Sequence, residues 1–416
     1  MPVRDTWDAD MINSDITGYT GKNVYVAVLD TGLAPNWRDY FPAKNIMTDL
    51  GKGFKEEIKW DAKTQTFLES GYVHEVSWIG DMGATHGTHV TSTIIGYNYY
   101  APNDAAAGYP LEPFYIKGIA PDVKIIPVKV LADYTIGSSK TDPVNYTSTK
   151  FVMGTDRAVA AGIMYATDLK LAGYSPMIIT MSLGGPTPSQ IMEDAVDYAV
   201  DNGVIVVASA GNEGTDGMGW PGAYPQVISV GASGWKYEWY GPDYTAPPPR
   251  YRMWWLWDDT WGYNDIPEDR SALANEVYVA NFSSRQLDGQ ELDVLAPGTW
   301  VRGPYPGYPG YSHLPWWSSG IAWLVSRNPG NYYYVGGTSM SAPHVTGVAA
   351  QMLEKNSDLV QADVESILKS TALPIPAGSM TVFDLSPTQD FYTYSWGTDA
   401  TGSGLIQADS ALAAVP

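Results

Sequence analysis

Apolar residues in this chain come in two rhythms. Asn23-Val-Tyr-Val-Ala-Val-Leu29 is a short, nearly continuous apolar run, closed by Asp30-Thr-Gly32. Similar runs recur at Val123 to Val130, Met177 to Met181, Val204 to Ala208 and Val227 to Val230. Strands without polar alternation are buried on both faces, the signature of a parallel sheet covered on each side. Between these runs the spacing becomes helical. Val159, Ile163, Ala166 and Leu169 share one face, as do Ile191, Ala195, Val196 and Ala199, and again Val345, Val348, Ala349 and Met352. Strands alternating with helices predict βαβ crossovers and a three-layer α/β/α fold around a mostly parallel central sheet.

Two segments break the rhythm. Trp235 to Trp261 holds six Trp, four Tyr and four Pro, and Thr299 to Val335 is rich in Tyr, Trp, Pro and Gly. Proline at this density denies both ladder and helix, so both read as long surface loops. Disordered segments are depleted in aromatics, so these loops are expected to be ordered over the flank or the cleft of the domain. The organisation expected is one domain over residues 1–416, carrying insertions at about 235–279 and 299–335.

Composition narrows the function. With 24 Lys and Arg against 45 Asp and Glu the net charge is −21, which excludes tracking a nucleic-acid backbone or an anionic membrane surface. The absence of cysteine excludes thiol nucleophiles, disulfide scaffolds and thiolate zinc sites. No apolar stretch is long enough to predict a transmembrane helix, and Met1 to Trp7 lacks the apolar core of a signal peptide.

Three segments carry candidate chemistry. Val28-Leu-Asp-Thr-Gly32 puts an acid at the end of a buried strand. Thr85-His-Gly-Thr-His-Val90 and Gly336-Gly-Thr-Ser-Met-Ser-Ala-Pro-His344 each lead into an apolar helix. In open α/β sheets, sites gather where strands end and helices begin, so Asp30, His86 and Ser339 are placed to meet there. A nucleophilic serine needs an adjacent base, and the base needs a carboxylate to fix its tautomer. Each residue also has a structural reading: Asp30 as a cap, His89 and His344 as packed core histidines, Asn212 as a turn residue. His86 and His89, three apart on a helix, also suit a metal, but the Glu of a zinc-protease helix is missing.

These segments resemble the subtilisin-like serine proteases, whose acid, base and nucleophile come in this chain order. The resemblance extends to Ser182-Leu-Gly-Gly185, Ala208-Ser-Ala-Gly-Asn-Glu-Gly214, Trp220-Pro-Gly-Ala-Tyr-Pro225, Leu295-Ala-Pro-Gly298 and Gly402 to Ala411. It implies a serine endopeptidase in which Ser339 is the nucleophile, His86 the general base, Asp30 its orienting carboxylate and Asn212 an oxyanion donor. It further implies substrate-binding edges at Ser182, Leu183 and Gly184 and at Ser209, Ala210 and Gly211. Gly219 would form a pocket floor open to large apolar or aromatic groups, with Glu213 at the rim. Asp39, and a loop beginning near Asn98 but lengthened by Tyr99 to Lys117, correspond to family calcium ligands. No cofactor is implied for the chemistry. The partners implied are peptide and protein substrates and a propeptide or protein inhibitor, with no nucleic acid and no membrane. The resemblance also implies a secreted monomer; no propeptide is seen upstream of Trp7, so the chain reads as a mature domain.

Overall fold

The computed structural model describes residues 1–61, 63–64, 66–80, 85–100, 113–137, 148–238, 256–257, 266–306, 332–384 and 390–416. Its centre is a nine-stranded sheet. In chain order the strands are β1 (Tyr25–Asp30), β2 (Lys52–Asp61), β3 (Thr66–Val76), β4 (Lys124–Lys129), β5 (Met177–Met181), β6 (Ile205–Ser209), β7 (Ile228–Trp235), β8 (Val277–Val279) and β9 (Val294–Pro297). Across the sheet they run β8-β7-β6-β5-β1-β4-β2-β3, with β9 also beside β7. Among the described residues the pairing is parallel except at the two ends, where β3 returns along β2 and β8 along β7.

The apolar runs become buried strands because each one feeds two cores. Val26 and Val28 of β1 pack in one cluster, Ala27 and Leu29 in the other. The second cluster holds helices α2 (Asp156–Leu171) and α3 (Gln190–Asp201); the first holds α1 (Thr85–Ile95) and α4 (Thr338–Lys355). The sheet is therefore sandwiched between helical layers, the three-layer architecture that the two rhythms predict. On α3, Ala195, Val196 and Ala199 are buried as the stripe predicts, but Ile191 is 40% exposed and Met192, at 4%, takes its place. On α4 every side chain from Thr338 to Leu353 is buried, so its stripe is one face of a helix enclosed all round.

Three features depart from the sequence reading. The N-terminal lead-in forms a strand, Val3–Thr6, and a short helix, Trp7–Met11, whose Trp7, Asp8, Ala9 and Met11 are buried. That strand joins a small sheet with Leu256–Trp257, Phe114–Lys117 and Gly96–Tyr99. The bases of the expected loops are also strands. Trp235 pairs with Val277, so the ends of the 235–279 segment belong to the main sheet. Val301–Pro304 pairs antiparallel with Tyr332–Val335, because its one proline stands at the last rung of the ladder. Residues 239–255, 258–265 and 307–331 of these segments, and residues 101–112, lie outside the described residues. Among the described residues no helix is long and apolar enough to cross a membrane.

Candidate active site

Asp30 is the last residue of β1 and 0% exposed. The following Thr31-Gly32 lets the first turn of α1 approach it. Gly32 turns at φ +79°, where a Cβ would stand 2.1 Å from the Trp78 carbonyl oxygen. Thr31 Oγ1 accepts the Gly87 N–H at 2.9 Å, satisfying one of the free amides in the first turn of α1. Gly87 is required for the same approach, since a Cβ there would lie 2.5 Å from Gly32 O and 3.1 Å from Asp30 Oδ1. The first turn of α1 thus sits directly on the end of β1.

His86, 7% exposed, projects from that turn onto the carboxylate. Its Nδ1 is 2.8 Å from both Asp30 oxygens. A carboxylate accepts, so the proton resides on Nδ1 and Nε2 is left as the basic nitrogen. Asp30 is itself held by the Thr31 N–H at 2.6 Å. Burial disfavours the imidazolium of His86, but the charge and hydrogen bond of Asp30 outweigh it, and the pKa is raised above its usual 6.5.

Ser339 lies in the first turn of α4, 8% exposed. Pro343, four residues on, has no N–H to offer the Ser339 carbonyl. Ser182, just beyond the end of β5, supplies the missing donor: its Oγ reaches Ser339 O at 2.8 Å. Helices α1 and α4 pack against each other. Among the described residues the Ser339 hydroxyl donates to Ser182 O, at a long 3.4 Å, rather than to His86.

Asn212 follows β6 and is turned by Thr338. Its Oδ1 accepts the Thr338 N–H at 2.8 Å, which fixes the amide so that Nδ2 faces the other way. Gly337 measures the space beside it. A Cβ placed there would stand 3.7 Å from the Ser339 amide nitrogen and from Asn212 Oδ1 and 3.8 Å from Asn212 Nδ2, so the Asn212 amide and the Ser339 N–H lie around one small opening.

The two expected edges flank this opening. Ser182 is buried, Leu183 half-buried and Gly184 exposed; Ser209 and Ala210 are buried, with Gly211 half-buried. They are tied by backbone bonds, Gly219 N to Ala210 O at 2.9 Å and Gly185 N to Trp220 O at 2.8 Å. A Cβ on Gly219 would meet Gly185 O at 3.3 Å, so this glycine serves the close approach of the two edges. Glu213 is exposed, yet its Oε2 accepts from Ser284 Oγ at 3.1 Å and would lie 2.4 Å from a Cβ on Gly211. The carboxylate is folded against the Gly211 wall.

The other histidines have structural surroundings. His89 is fully buried with Nε2 3.1 Å from Val301 O; burial, and then the charge of His86, push its pKa down to about 4. It therefore stays neutral and braces α1 against the Val301–Pro304 strand. Asp39 lies in an exposed turn beside Asn36, and the Asn98 N–H donates to Tyr40 O at 2.7 Å, so the two candidate calcium ligands are on neighbouring segments. The Asn98 carbonyl accepts from Tyr332 OH at 2.9 Å, and Tyr332 packs on Tyr40, Tyr97 and Tyr99. Two oxygens do not make a calcium shell of six to eight; no further ligand is assigned in the Tyr99 to Lys117 insertion, of which residues 101–112 lie outside the described residues. Glu291, Asp293 and Glu365 converge elsewhere, but Lys369 Nζ is bonded to all three, 2.9 Å from Asp293 and 3.2 Å from Glu365.

Residues 21–405 match the subtilase family. The chain belongs to that family. It is 30% identical to fervidolysin of Fervidobacterium pennivorans over 399 residues, covering 94% of this chain and 41% of that protein. It is 28% identical to subtilisin E of Bacillus subtilis over 359 residues, 85% of this chain and 62% of the relative. The chain thus spans less than two thirds of the length of both relatives. Among solved structures, sphericase superposes with a TM-score of 0.55 at 23% identity, covering 97% of each chain, a likeness of fold. That fold is the subtilisin-like one implied by the motifs.

Proposed function

We propose that this subtilase is a serine endopeptidase acting through an acyl-enzyme on Ser339. The observation that carries the reading is the buried Asp30–His86 pair, with both carboxylate oxygens on Nδ1, borne by a helix that packs against α4, whose first turn holds Ser339. In this mechanism the Ser339 hydroxyl leaves Ser182 O and transfers its proton to His86 Nε2 as Oγ attacks the scissile carbonyl carbon. Asp30 stabilises the imidazolium so formed. The oxyanion accepts from Asn212 Nδ2–H and from the Ser339 N–H, donors already fixed before the reaction. The intermediate collapses as His86 returns the proton to the leaving amine. Water then repeats the sequence, releasing the carboxylic acid and regenerating Ser339.

An extended peptide would lie along Ser182, Leu183 and Gly184 and along Ser209, Ala210 and Gly211, bonded through its main chain as an added strand. Its primary side chain, large and apolar or aromatic, would occupy the space bounded by Gly211 and Gly219, with Glu213 at the rim. Secretion, a monomeric state and control by a propeptide or protein inhibitor belong to the same proposal. A structural calcium at Asp39 and Asn98 would act on stability alone. Chelation should lower the melting temperature without changing the rate of serine acylation; loss of acylation in still-folded protein would reject that role. The mechanism is tested by labelling with a serine-directed fluorophosphonate. Stoichiometric labelling of the parent, abolished in Ser339→Ala, is expected; an unlabelled folded parent or a catalytically active alanine variant overturns it.

A further inference from the structure

The N-terminal helix reaches the nucleophile's helix through a buried bridge. His344, on α4 and 0% exposed, has Nδ1 2.8 Å from Met340 O and Nε2 2.9 Å from Asp8 Oδ2. Asp8 is itself buried in the Trp7–Met11 helix, 336 positions away in sequence. A main-chain carbonyl can only accept, so Nδ1 donates to Met340 O, and the ring's orientation is then set by what meets Nε2.

The residue whose carbonyl is gripped is the one after Ser339. This turn is unusually dependent on outside contacts, because Pro343 withholds the helix bond from the Ser339 carbonyl and Ser182 Oγ stands in for it. The Ser182 hydroxyl therefore holds the carbonyl of the Ser339–Met340 peptide, and the His344 ring holds that of the next peptide, Met340–Ser341. Resting on the endopeptidase reading, we infer that Asp8 is a positioning residue: by orienting His344 it holds the first turn of α4, and with it the Ser339 hydroxyl and the Ser339 N–H. Without Asp8, Nε2 loses its partner, the ring is free to turn away from Met340 O, and of these two contacts the turn keeps only that of Ser182.

The test compares kcat, KM and the fluorophosphonate-labelled fraction in the parent, Asp8→Ala, Asp8→Asn and Ser14→Ala. Asp8→Ser, whose hydroxyl is too short to reach the ring, replaces the alanine variant if that does not fold. Asn retains the bridge, since its amide N–H can donate to Nε2 of the neutral ring. Ser14 Oγ donates to Ala9 O at 3.0 Å, so Ser14→Ala loosens the same segment without touching His344. Asp8→Ala should lower kcat ~10- to 100-fold at unchanged KM and unchanged labelled fraction, the scale of a small misplacement of reacting groups. Asp8→Asn should restore most of it, and Ser14→Ala should lower thermal stability while keeping kcat. Parental kcat in folded Asp8→Ala, no rescue by Asp8→Asn, or an equal loss in Ser14→Ala would overturn the inference. A parent that takes no label would instead remove the endopeptidase reading on which it rests.

Discussion

Asp10 makes the stability of this fold depend on pH in a direction that acids seldom give. It closes the Trp7–Met11 helix, and its Oδ2 is buried without a hydrogen-bond partner. Burial first, then the charges of Asp15, Asp5 and Glu268, push its pKa from 3.8 up to about 7. The native state therefore holds the proton more tightly than the unfolded chain does. The contribution of Asp10 is intact below its unfolded pKa, is lost as pH rises, and is gone above about 7. At about 1.36 kcal/mol per pKa unit, the gap from 3.8 to about 7 sets a ceiling near 4 kcal/mol. The site is partly solvated, which reduces this to about 2–4 kcal/mol. Asp10→Asn cannot ionise, so it should be more stable than the parent by that amount above pH 7, with the advantage vanishing towards pH 4. Denaturant titrations of both proteins in a Ser339→Ala background, which prevents self-digestion, at several pH values would measure it. A stability difference that stays constant with pH, or one that favours the parent at pH 8, would refute the reasoning.

Three predictions concern the site itself. Asn212→Leu should lower kcat by about 10²–10³ at nearly constant KM, the range known for an oxyanion donor in subtilisin; steady-state peptide hydrolysis measures it, and an unchanged kcat removes Asn212 from the oxyanion hole. Asp30→Asn should lower kcat by about 10⁴, the effect of the same exchange in a serine-protease triad. It should also move the acidic limb of the pH–rate profile down, because the charge that raises the His86 pKa is lost; a limb that does not move would show that His86 is not the titrating base. Gly219→Val should cut kcat/KM for aromatic primary residues more than for alanine in a peptide library, and a uniform loss would place Gly219 outside the pocket.

Much of the architecture is legible in the sequence because it rests on short-range repetition. A parallel strand buried on both faces must be apolar throughout, so β1, β4, β5, β6 and the start of β7 declare themselves. The hairpin of β2 and β3 does not. Lys, Glu, Trp and Tyr share its half-exposed faces, with Trp60 43% and Tyr72 69% exposed, and a bulge between Glu56 and Ile58 breaks any alternation. The shift from Ile191 to Met192 on α3 has the same origin: adjacent apolar residues leave helical phase undetermined until the sheet beneath selects one.

The site divides along the same line. Asp30, His86 and Ser339 are readable because each is embedded in glycines and hydroxyls that local geometry requires: Gly32 and Gly87 for the approach of α1 to β1, Thr31 to satisfy an amide. What holds the turn at Ser339 beyond those motifs is not local. Ser182 reaches Ser339 across 157 positions and Asp8 reaches His344 across 336. Asp8 sits in a polar lead-in where an acid is ordinarily solvated, and nothing near it marks it as buried. The one mark lies at the other end, in Ser-Ala-Pro-His344. A proline four residues after Ser339 obliges some distant donor to satisfy the Ser339 carbonyl, and a histidine five residues after it, enclosed on a helix buried all round, obliges some distant partner to complete the ring. Read as unmet hydrogen-bonding demands, these two residues call for partners before the fold is known, although only the fold names Ser182 and Asp8.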